Sequence, residues 1–465
     1  MSAPALLVAA ASSGSGKTMV TLGLLAALKR RGLAVASFKT GPDYIDPAFH
    51  ARITGRPCLN LDSWAMRVEV LVGLFEETAR GADVVIGEGV MGLFDGAPDG
   101  RGSTADLAVL LGIPVLLVVE AQRLGQSAAA VVEGFVRFRE DVGVAGVLFN
   151  RVAGEGHFAL LREAVEARSS IPILGFLPRD PALDLPERHL GLVQAAEIAR
   201  AVDAAAARAA ELVEAHVDLD RLLRLARPPA LAALGPPPLQ IPPPGQHVAV
   251  ARDEAFGFVY ESVLEGWRRA GAHVSFFSPL ADEAPGITAD AVVLPGGYPE
   301  LHVERLSAAR RFFDGLRRAA ARGAFVYGEC GGYMVLGRHL TDRDGIVRLM
   351  AGLLPVSTSF ARPRLHLGYR EAVLAADVPL GAAGTRYAGH EFHFAREIER
   401  GGEPLFVSVR DARGRELGPA GVRVGRVAGS FLHLMDRRPL PSGHGRERRE
   451  PAEAPQQDLA GGRRA

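Results

Sequence analysis

The first half of the chain is organised around Ala11-Ser12-Ser13-Gly14-Ser15-Gly16-Lys17-Thr18. An apolar run at 6–10 precedes this stretch and predicts a short buried strand, and an Ala/Leu-rich run at 20–28 follows it with helical spacing. Strand, glycine-rich loop and helix in that order are the setting that a phosphate-binding loop requires. Backbone N–H groups of such a loop turn toward phosphate oxygens, and the positive end of the helix favours the anion. The stretch therefore predicts a nucleoside triphosphate site.

The predicted nucleotide contacts include every residue from the first glycine onward, namely Gly14, Ser15, Gly16, Lys17 and Thr18. Lys17 is expected to reach the β- and γ-phosphates, and the Thr18 hydroxyl to coordinate Mg²⁺. The strict pattern has glycine where this chain has Ala11. The alternative is a simple Ser/Gly turn between a strand and a helix, which the complete Gly-Ser-Gly-Lys-Thr segment disfavours.

The composition is that of a globular protein with two domains or three. The chain has 465 residues, of which 48% are hydrophobic and 23% charged. Lys plus Arg and Asp plus Glu number 53 each, so no charge excess points to nucleic acid or to a membrane. No apolar run approaches the roughly 18 residues of a membrane span, and the apolar start has no basic segment before it. We expect a cytoplasmic protein, and the sequence leaves a homodimer open.

The two cysteines are Cys58 and Cys330, which lie too far apart in sequence to suggest a disulfide framework. Cys58 has no second cysteine or nearby histidine in its segment, so we interpret it as a small packing residue.

The loop after the second predicted strand carries an unusual number of reactive side chains. It reads Lys39-Thr-Gly-Pro-Asp43-Tyr44-Ile-Asp46-Pro-Ala-Phe-His50. Ligands of parallel α/β sheets gather at the carboxyl ends of strands, where this loop is expected to lie. The alternative is a polar turn with a helix cap at Asp46. We favour the functional interpretation and predict that Lys39, Tyr44 and Asp46 bind substrate.

A third strand, at 84–86, leads into Glu88-Gly-Val-Met-Gly-Leu-Phe-Asp95-Gly96. An acidic residue just past a strand, opposite a phosphate loop, is well placed to hold Mg²⁺. We therefore predict Thr18, Glu88 and Asp43 as metal ligands. Asp95 is a candidate substrate contact, with a turn aspartate as the alternative. At the end of a later strand, Asn150 is a candidate reader of the purine.

The alternation of strands and helices predicts a doubly wound, mostly parallel sheet for the first domain. We place this domain at 1–226, ending in a helical segment, 194–225. Eight prolines between residues 227 and 245 predict a semi-rigid linker over 227–246. A second α/β domain is predicted over 247–438, with a helix at 256–270. The tail, 439–465, has no apolar periodicity and is expected to be disordered.

The second domain contains a strand–turn–helix segment, Ala324-Phe-Val-Tyr-Gly328-Glu-Cys330-Gly-Gly-Tyr333. This is the pattern of a nucleophile elbow with Cys330 at its tip, where the helix N-terminus is expected to lower the thiol pKa. The alternative is a buried, inert thiol. His433, at the end of the last predicted strand, is the candidate base. The predicted donors to an oxyanion are the backbone N–H groups of three glycines, Gly296, Gly297 and Gly331.

Together these motifs resemble the corrin a,c-diamide synthases, which amidate hydrogenobyrinic or cobyrinic acid in cobalamin biosynthesis. The resemblance covers about residues 4–436 and includes two further motifs, Pro295-Gly-Gly-Tyr-Pro-Glu300 and Gly389-His-Glu-Phe-His393. It implies a dethiobiotin-synthetase-like first domain and a class I glutamine amidotransferase second domain. It also implies a cytoplasmic, glutamine-hydrolysing ligase that uses ATP with Mg²⁺. Ammonia made at Cys330, with His433 as base, would displace phosphate from an activated corrin carboxylate.

The sequence departs from the amidotransferase pattern at one site. Met435 stands where class I enzymes have the glutamate that orients the histidine. Glu329 and Asp436 are the acidic residues nearest in sequence to the pair. Three alternatives stay open: the same chemistry on nickel sirohydrochlorin, a cobyric acid synthase, and a non-enzymatic ATP switch with a degenerate second domain.

Overall fold

The computed structural model describes residues 2–184, 187–188, 191–192, 199–233 and 235–439. The first domain contains a seven-stranded sheet whose strands are β1 (Ala5–Ala10), β2 (Val35–Thr40), β3 (Leu59–Leu61), β4 (Val84–Glu88), β5 (Val115–Glu120), β6 (Val144–Val152) and β7 (Ile173–Pro178). All neighbours pair in parallel in the order β3-β2-β4-β1-β5-β6-β7. Two short strands follow, β8 (Glu187–Arg188) and β9 (Gly191–Leu192).

Helices cover both faces of this sheet, and they are α1 (Lys17–Arg30), α2 (Asp46–Thr54), α3 (Val68–Ala79), α4 (Thr104–Leu111), α5 (Ala128–Arg137), α6 (Glu155–Glu166), α7 (Ala199–His216) and α8 (Leu219–Leu225). Successive residues of β1 point to opposite faces of the sheet, so this strand contributes to a separate layer of helices on each face. Leu7 packs in a core with α3, α4 and α5, whereas Leu6 and Val8 pack in a second core with α1 and α7. The predicted doubly wound sheet is confirmed.

The second domain has its own mostly parallel sheet. Its elements begin with β10 (His247–Ala251), α9 (Glu261–Arg269), β11 (His273–Phe277), β12 (Ala291–Leu294), α10 (Val303–Ala308), α11 (Arg310–Ala321), β13 (Phe325–Glu329) and α12 (Gly331–Leu336). Two later strands, β22 (Val422–Val424) and β23 (Val427–Ser430), complete the sheet in the order β11-β10-β12-β13-β23-β22. Only the β22–β23 pairing is antiparallel within this sheet.

Two smaller sheets flank it. One contains β14 (His339–Thr341), β15 (Val347–Leu349), β16 (Val356–Ser359) and β19 (Arg396–Arg400). The other is antiparallel and contains β17 (His366–Leu374), β18 (Arg386–His393), β20 (Phe406–Asp411), β21 (Glu416–Ala420) and β24 (His433–Arg438). Because β24 follows β23 directly, the chain carries His433 from the parallel sheet into this second sheet.

The proline-rich segment packs against both domains. Ala230 N–H donates to the Leu111 carbonyl, and a Cβ on Gly73 would lie 2.6 Å from the Cα of Pro237. On the other side, the Gln240 side chain donates to the Met435 carbonyl at 2.8 Å. These contacts fix how the two domains meet.

Two predicted helices differ from the observed ones. The helix expected over 194–225 is divided at Val217, because Asp218 caps a new helix by accepting from the Arg221 N–H at 2.8 Å. Residues 194–198 lie outside the described residues. The helix expected over 256–270 begins only at Glu261, because the preceding residues form a bridge in which Phe258 N–H donates to the Gly296 carbonyl. In the predicted tail, residues 440–465 lie outside the described residues.

Candidate functional site

The phosphate-binding loop lies at the carboxyl end of β1, between the ends of β4 and β5. Gly14 and Gly16 have φ angles of 77° and 80°, in the region that glycine adopts without strain. A Cβ on Gly16 would lie 2.2 Å from Asn150 Nδ2, so only glycine fits against this side chain. Asn150 Nδ2 donates to the Ser15 carbonyl at 2.9 Å. The Asn150 amide thus supports the loop, and its contact with the purine stays a prediction.

Lys17 lies across the mouth of this loop. Its ammonium donates to the Met91 carbonyl at 2.6 Å and to the Ser12 carbonyl at 3.3 Å. Burial, and then the charge of Lys39, lower the pKa of Lys17. The loop, its lysine and the segment after β4 thus surround one space, as expected for a triphosphate site.

A buried charge cluster lies beneath the loop. Lys39, 3% exposed, donates to Asp46 and to Glu88 Oε1, the latter at 2.8 Å. Thr18 Oγ1 donates to Glu88 Oε1 at 2.9 Å. Glu88 Oε2 lies 2.7 Å from His50 Nε2. Three side chains, those of Thr18, Lys39 and His50, therefore meet at the Glu88 carboxylate.

Opposite charges within the cluster stabilise the ionised forms of its members against the cost of burial. Burial opposes the charge on Lys39, yet the carboxylates of Asp46, Glu88 and Asp43 raise its pKa well above the ordinary value. Burial likewise opposes ionisation of Glu88, but Lys39 and His50 hold its pKa well below the ordinary range. Against burial, the contacts with Cys58 and Glu88 raise the pKa of His50 to about 10.

Cys58 belongs to this cluster, which corrects its interpretation as a packing residue alone. Its Sγ lies 3.5 Å from His50 Nδ1, because α2 and the segment before β3 fold against each other. Because a turn separates Cys58 from α2, the sequence alone did not indicate this contact.

The two acidic residues of the loop after β2 have different surroundings. Asp43 Oδ1 accepts the N–H groups of Ile45 and Asp46 at 2.8 and 3.2 Å, so it closes the turn that leads into α2. Asp46 Oδ2 lies 3.4 Å from Thr18 Oγ1. Asp46 therefore lies beside Thr18, and the second oxygen of Asp43 lies 3.6 Å from Lys39 Nζ. The substrate role of Asp46 and the metal role of Asp43 stay predictions. Among residues 2–184, 199–233 and 235–439, no group of three or more His, Cys, Asp and Glu is arranged as a metal site.

Asp95 and Tyr44 were both expected at the substrate. Asp95 Oδ2 accepts the Gly92 N–H at 2.9 Å, as a turn aspartate does, and its contact with the substrate stays a prediction. The partly buried Tyr44 ring packs 5.1 Å from Phe258, 4.5 Å from Tyr260 and 5.3 Å from His433, centroid to centroid. The loop after β2 thus faces the second domain, and Tyr44 contacts that domain's candidate base.

In the second domain, the segment between β13 and α12 forms a sharp turn with Cys330 at its tip. Cys330 has φ 47° and ψ −104°, a backbone conformation that a non-glycine residue rarely adopts. A Cβ on Gly328 would lie 2.7 Å from the backbone of Gly332, and a Cβ on Gly332 would lie 1.9 Å from the Leu294 carbonyl oxygen. The glycines around the cysteine are therefore required by close backbone contacts, and the elbow has the predicted geometry.

The thiol is held in its neutral form. Burial, and then the charge of Glu300, raise the pKa of Cys330, which is 4% exposed. This reverses the expectation of a lowered pKa, because the apolar surroundings outweigh the short helix that follows. Formation of a thiolate consequently requires a base at the site.

The turn after β12 lies between the elbow and the histidine. A Cβ on Gly331 would lie 3.1 Å from the Gly297 nitrogen, whereas a Cβ on Gly296 would lie 2.4 Å from His433 Cε1. The Gly296 carbonyl accepts from Phe258. The structure thus brings the three predicted oxyanion glycines, Cys330 and His433 into one region.

His433 is 1% exposed, and its ring stacks on His390 at 4.8 Å with an interplanar angle of 9°. Burial, and then His390, lower the pKa of His433 well below its ordinary value, so the ring is a neutral base. Among the described residues, Nδ1 has no hydrogen-bond partner. The Glu329 carboxylate oxygen Oε2 lies 3.9 Å from this nitrogen.

The fold and these two sites define the class: a two-domain ligase that joins a nucleotide-binding domain to a glutamine amidotransferase domain. Residues 6–193 match the family model described as a CobQ/CobB/MinD/ParA nucleotide binding domain. Residues 247–439 match that of a CobB/CobQ-like glutamine amidotransferase domain.

The chain belongs to the hydrogenobyrinate a,c-diamide synthase family. It is 54% identical over 439 residues to the protein of that name from Brucella abortus, covering 92% of this chain and 98% of the relative. The Sinorhizobium protein of that name is 53% identical over 436 residues, covering 93% and 98%. The Agrobacterium fabrum protein is 49% identical over 438 residues, covering 94% and 99%.

The chain is accordingly a glutamine-hydrolysing carbon–nitrogen ligase that uses a nucleotide, as the sequence predicted. Neither a cobyric acid synthase nor a nickel sirohydrochlorin enzyme is favoured by these relatives. Within the described ranges, no helix combines the length and the apolar character that a membrane crossing needs.

Proposed function

We propose that this protein amidates the a and c acetate carboxylates of hydrogenobyrinic acid, using ATP and ammonia released from glutamine. The observation that carries the proposal is the coexistence of both sites in one chain. The phosphate loop with Lys17 lies in the first domain, and the Cys330 elbow with His433 lies in the second. Relatives named for this reaction align over nearly their whole length.

In the second domain, the Cys330 sulfur attacks the glutamine side-chain amide carbon while its proton passes to His433. Backbone N–H groups of Gly297 and Gly331 are the donors to the oxyanion that forms. His433 returns the proton to the departing nitrogen, so ammonia leaves and a thioester remains. Water then hydrolyses the thioester, which yields glutamate and restores the thiol.

In the first domain, a corrin carboxylate attacks the γ-phosphorus of ATP, forming an acyl phosphate and ADP. A carboxylate is a poor acyl donor until one of its oxygens becomes a good leaving group. Ammonia then attacks the acyl carbon and inorganic phosphate departs. Lys17 is positioned to stabilise the charge on the transferred phosphoryl group.

Mg²⁺ is the metal that we propose for the nucleotide. The oxygens of Thr18, Asp46 and Glu88 suit this ion because it prefers hard oxygen ligands, and they already lie together. These three residues would hold it, in place of the originally expected set with Asp43. When bound, the ion neutralises phosphate charge.

We place the reaction in the cytoplasm. The supporting observation is that Cys58 and Cys330 are both buried free thiols. Free thiols of this kind suit a reducing compartment.

The test uses one Cys330→Ala preparation and follows corrin products by mass. Glutamine hydrolysis should disappear, whereas high ammonium should restore ATP-dependent diamide formation, since Lys17 and Thr18 are unchanged. Cys58→Ala is the control and should retain glutaminase activity. Wild-type protein should prefer hydrogenobyrinic acid to cobyrinic acid and to nickel sirohydrochlorin. Loss of the ammonia reaction in folded Cys330→Ala would contradict the separation of the two sites.

A further inference from the structure

His433, the candidate base of the amidotransferase site, needs a neighbouring group that fixes the orientation of its imidazole ring. In a cysteine–histidine pair, a third residue normally holds the nitrogen remote from the cysteine. Met435, two residues after His433, is fully buried and offers only a thioether. Asp436 is committed elsewhere, because both of its carboxylate oxygens accept from Arg67, at 2.8 to 3.0 Å. Neither residue can perform this task.

Glu329 lies beside the His433 ring, within ion-pair distance but beyond hydrogen-bond distance. Its Oε2 lies 3.9 Å from His433 Nδ1, an atom that is buried and has no hydrogen-bond partner among the described residues. Its Oε1 is fixed by the Tyr327 hydroxyl at 3.1 Å and by the Leu434 N–H at 3.3 Å. The carboxylate is thus anchored by the residue next to His433 and leaves its second oxygen toward the ring.

We propose that Glu329 is the positioning residue of the amidotransferase site. Its carboxylate accepts the Nδ1 hydrogen, fixes the tautomer that exposes Nε2 as base, and stabilises the imidazolium formed when Cys330 gives up its proton. This inference rests on the proposed function and identifies the group that replaces the missing glutamate at position 435. The chain thereby places nucleophile and orienting acid side by side in sequence.

The surroundings make this acid sensitive to pH near neutrality. Glu329 adjoins a small cavity of about 30 Å³ whose lining is mainly apolar and includes Val259, Val263, Trp267 and Leu380. The titratable groups that face it are Tyr44, Tyr260, Tyr327, Cys330 and His433. Burial raises the pKa of Glu329 to about 7, although the bonds from Leu434 and Tyr327 work against the rise.

The sign of the pH effect follows. Only the ionised carboxylate stabilises the imidazolium, so glutaminase activity should fall as pH drops through about 7, the pKa of Glu329. His433 has a much lower pKa and would produce a limb at more acidic pH. The two groups can therefore be distinguished by the position of the limb.

The experiment measures the pH profile of glutaminase kcat/KM for wild type, Glu329→Gln and the control Asp436→Asn. Glu329→Gln should lower kcat by about 100-fold with little change in KM, and its acid limb should move below that of wild type. Asp436→Asn should keep the wild-type limb. A Glu329→Gln protein with wild-type kcat and limb would overturn the proposal, as would a limb that moves only in Asp436→Asn.

Near-UV circular dichroism and the denaturation midpoint report on folding of the second domain in Glu329→Gln, and ammonia-driven amidation shows that its first-domain site is intact. If this variant fails to fold, Tyr327→Phe decides: loss of its hydrogen bond to the carboxylate should move the limb to higher pH, and an unmoved limb overturns the proposal. A wild-type protein without glutaminase activity would contradict the proposed function itself.

Discussion

Glu88 is the residue on which the buried cluster of the first domain depends. It is fully buried and contacts Thr18, Lys39 and His50. Removing one partner of a buried ion pair leaves the others uncompensated, which typically costs about 3–5 kcal/mol. The same side chain therefore contributes to stability and to the proposed metal site.

We expect Glu88→Gln to lower the free energy of unfolding by about 3 kcal/mol and to weaken Mg²⁺-dependent amidation with either nitrogen source. Glutaminase activity should persist, because that site is in the other domain. Denaturant titration and Mg²⁺ titration of the ammonia reaction measure these effects. Glu155→Gln, whose parent side chain is 76% exposed, is the matched control and should behave as wild type. Wild-type Mg²⁺ dependence in Glu88→Gln would refute the metal role.

Lys17 and Thr18 test the phosphate loop directly. Lys17→Ala and Thr18→Ala should each abolish amidation from glutamine and from ammonia alike, because several kcal/mol of transition-state stabilisation are lost. Ser13→Ala, at an exposed position of the same loop, should retain activity. Product formation at two ammonium concentrations gives the readout. Retention of more than about 5% of amidation in Lys17→Ala would disprove this use of the loop.

At the scale of elements, the turn between β12 and α10 connects the elbow to the histidine. The turn has no room for side chains at its glycines, because α12 packs closely on one side of it and His433 on the other. A side chain there displaces a catalytic group without touching the reacting atoms. The spacing of glycines in this turn is thus a consequence of packing between elements.

Gly296→Ala should consequently impair the amidotransferase alone. Its new Cβ would stand 2.4 Å from His433 Cε1 and displace the ring, so glutaminase activity should fall by about 100-fold. Ammonia-driven amidation should stay near the wild-type rate. Gly134→Ala is the control, because no atom lies within 4 Å of its added Cβ. Wild-type glutaminase activity in Gly296→Ala would show that the ring position is not critical.

At the scale of the whole molecule, the two domains meet through polar and aromatic contacts. Arg67 from the first domain donates to Asp436 and, at 2.9 Å, to the Leu239 carbonyl. Tyr369 from the second domain donates to Asp62 at 2.7 Å. Tyr44 packs against His433, and it belongs to the same loop as the ion-paired Lys39 and Asp46. The synthetase loop and the glutaminase base are therefore in direct physical connection.

Arg67→Ala should uncouple the domains. It leaves Asp436 buried without its cation and should destabilise the protein by about 3 kcal/mol. Glutamine-driven amidation should fall more than glutaminase and ammonia-driven rates measured separately. Arg52→Ala is the matched control, because it breaks an Arg–Asp pair with Asp203 that is exposed by 39% and 52%. An equal fall in all three rates would argue against a coupling role.

Contiguous motifs determined a large part of this protein from sequence alone. The loop ending in Lys17 and Thr18 and the elbow around Cys330 each have local causes, since glycine conformations and strand–helix junctions depend on residues next to one another. Strand and helix alternation likewise predicted the parallel sheet, and the motifs together identified the family. Helix boundaries failed at Val217 and Glu261, where a local cap and a long-range bridge prevailed over periodicity.

Only the tertiary structure decided which side chains meet. The sequence predicted that both Asp43 and Asp46 lie at a strand end. In the structure, the direction of α2 brings Asp46 next to Thr18, whereas Asp43 accepts a hydrogen bond from the Ile45 backbone N–H. Similarly, the sequence offered Glu329 and Asp436 equally as acidic neighbours of the Cys330–His433 pair. The structure separates them, because Arg67, which is distant along the chain, forms an ion pair with Asp436. Such contacts join strand ends brought together by sheet order and domain docking, and the distances between them are fixed by packing rather than by any local pattern.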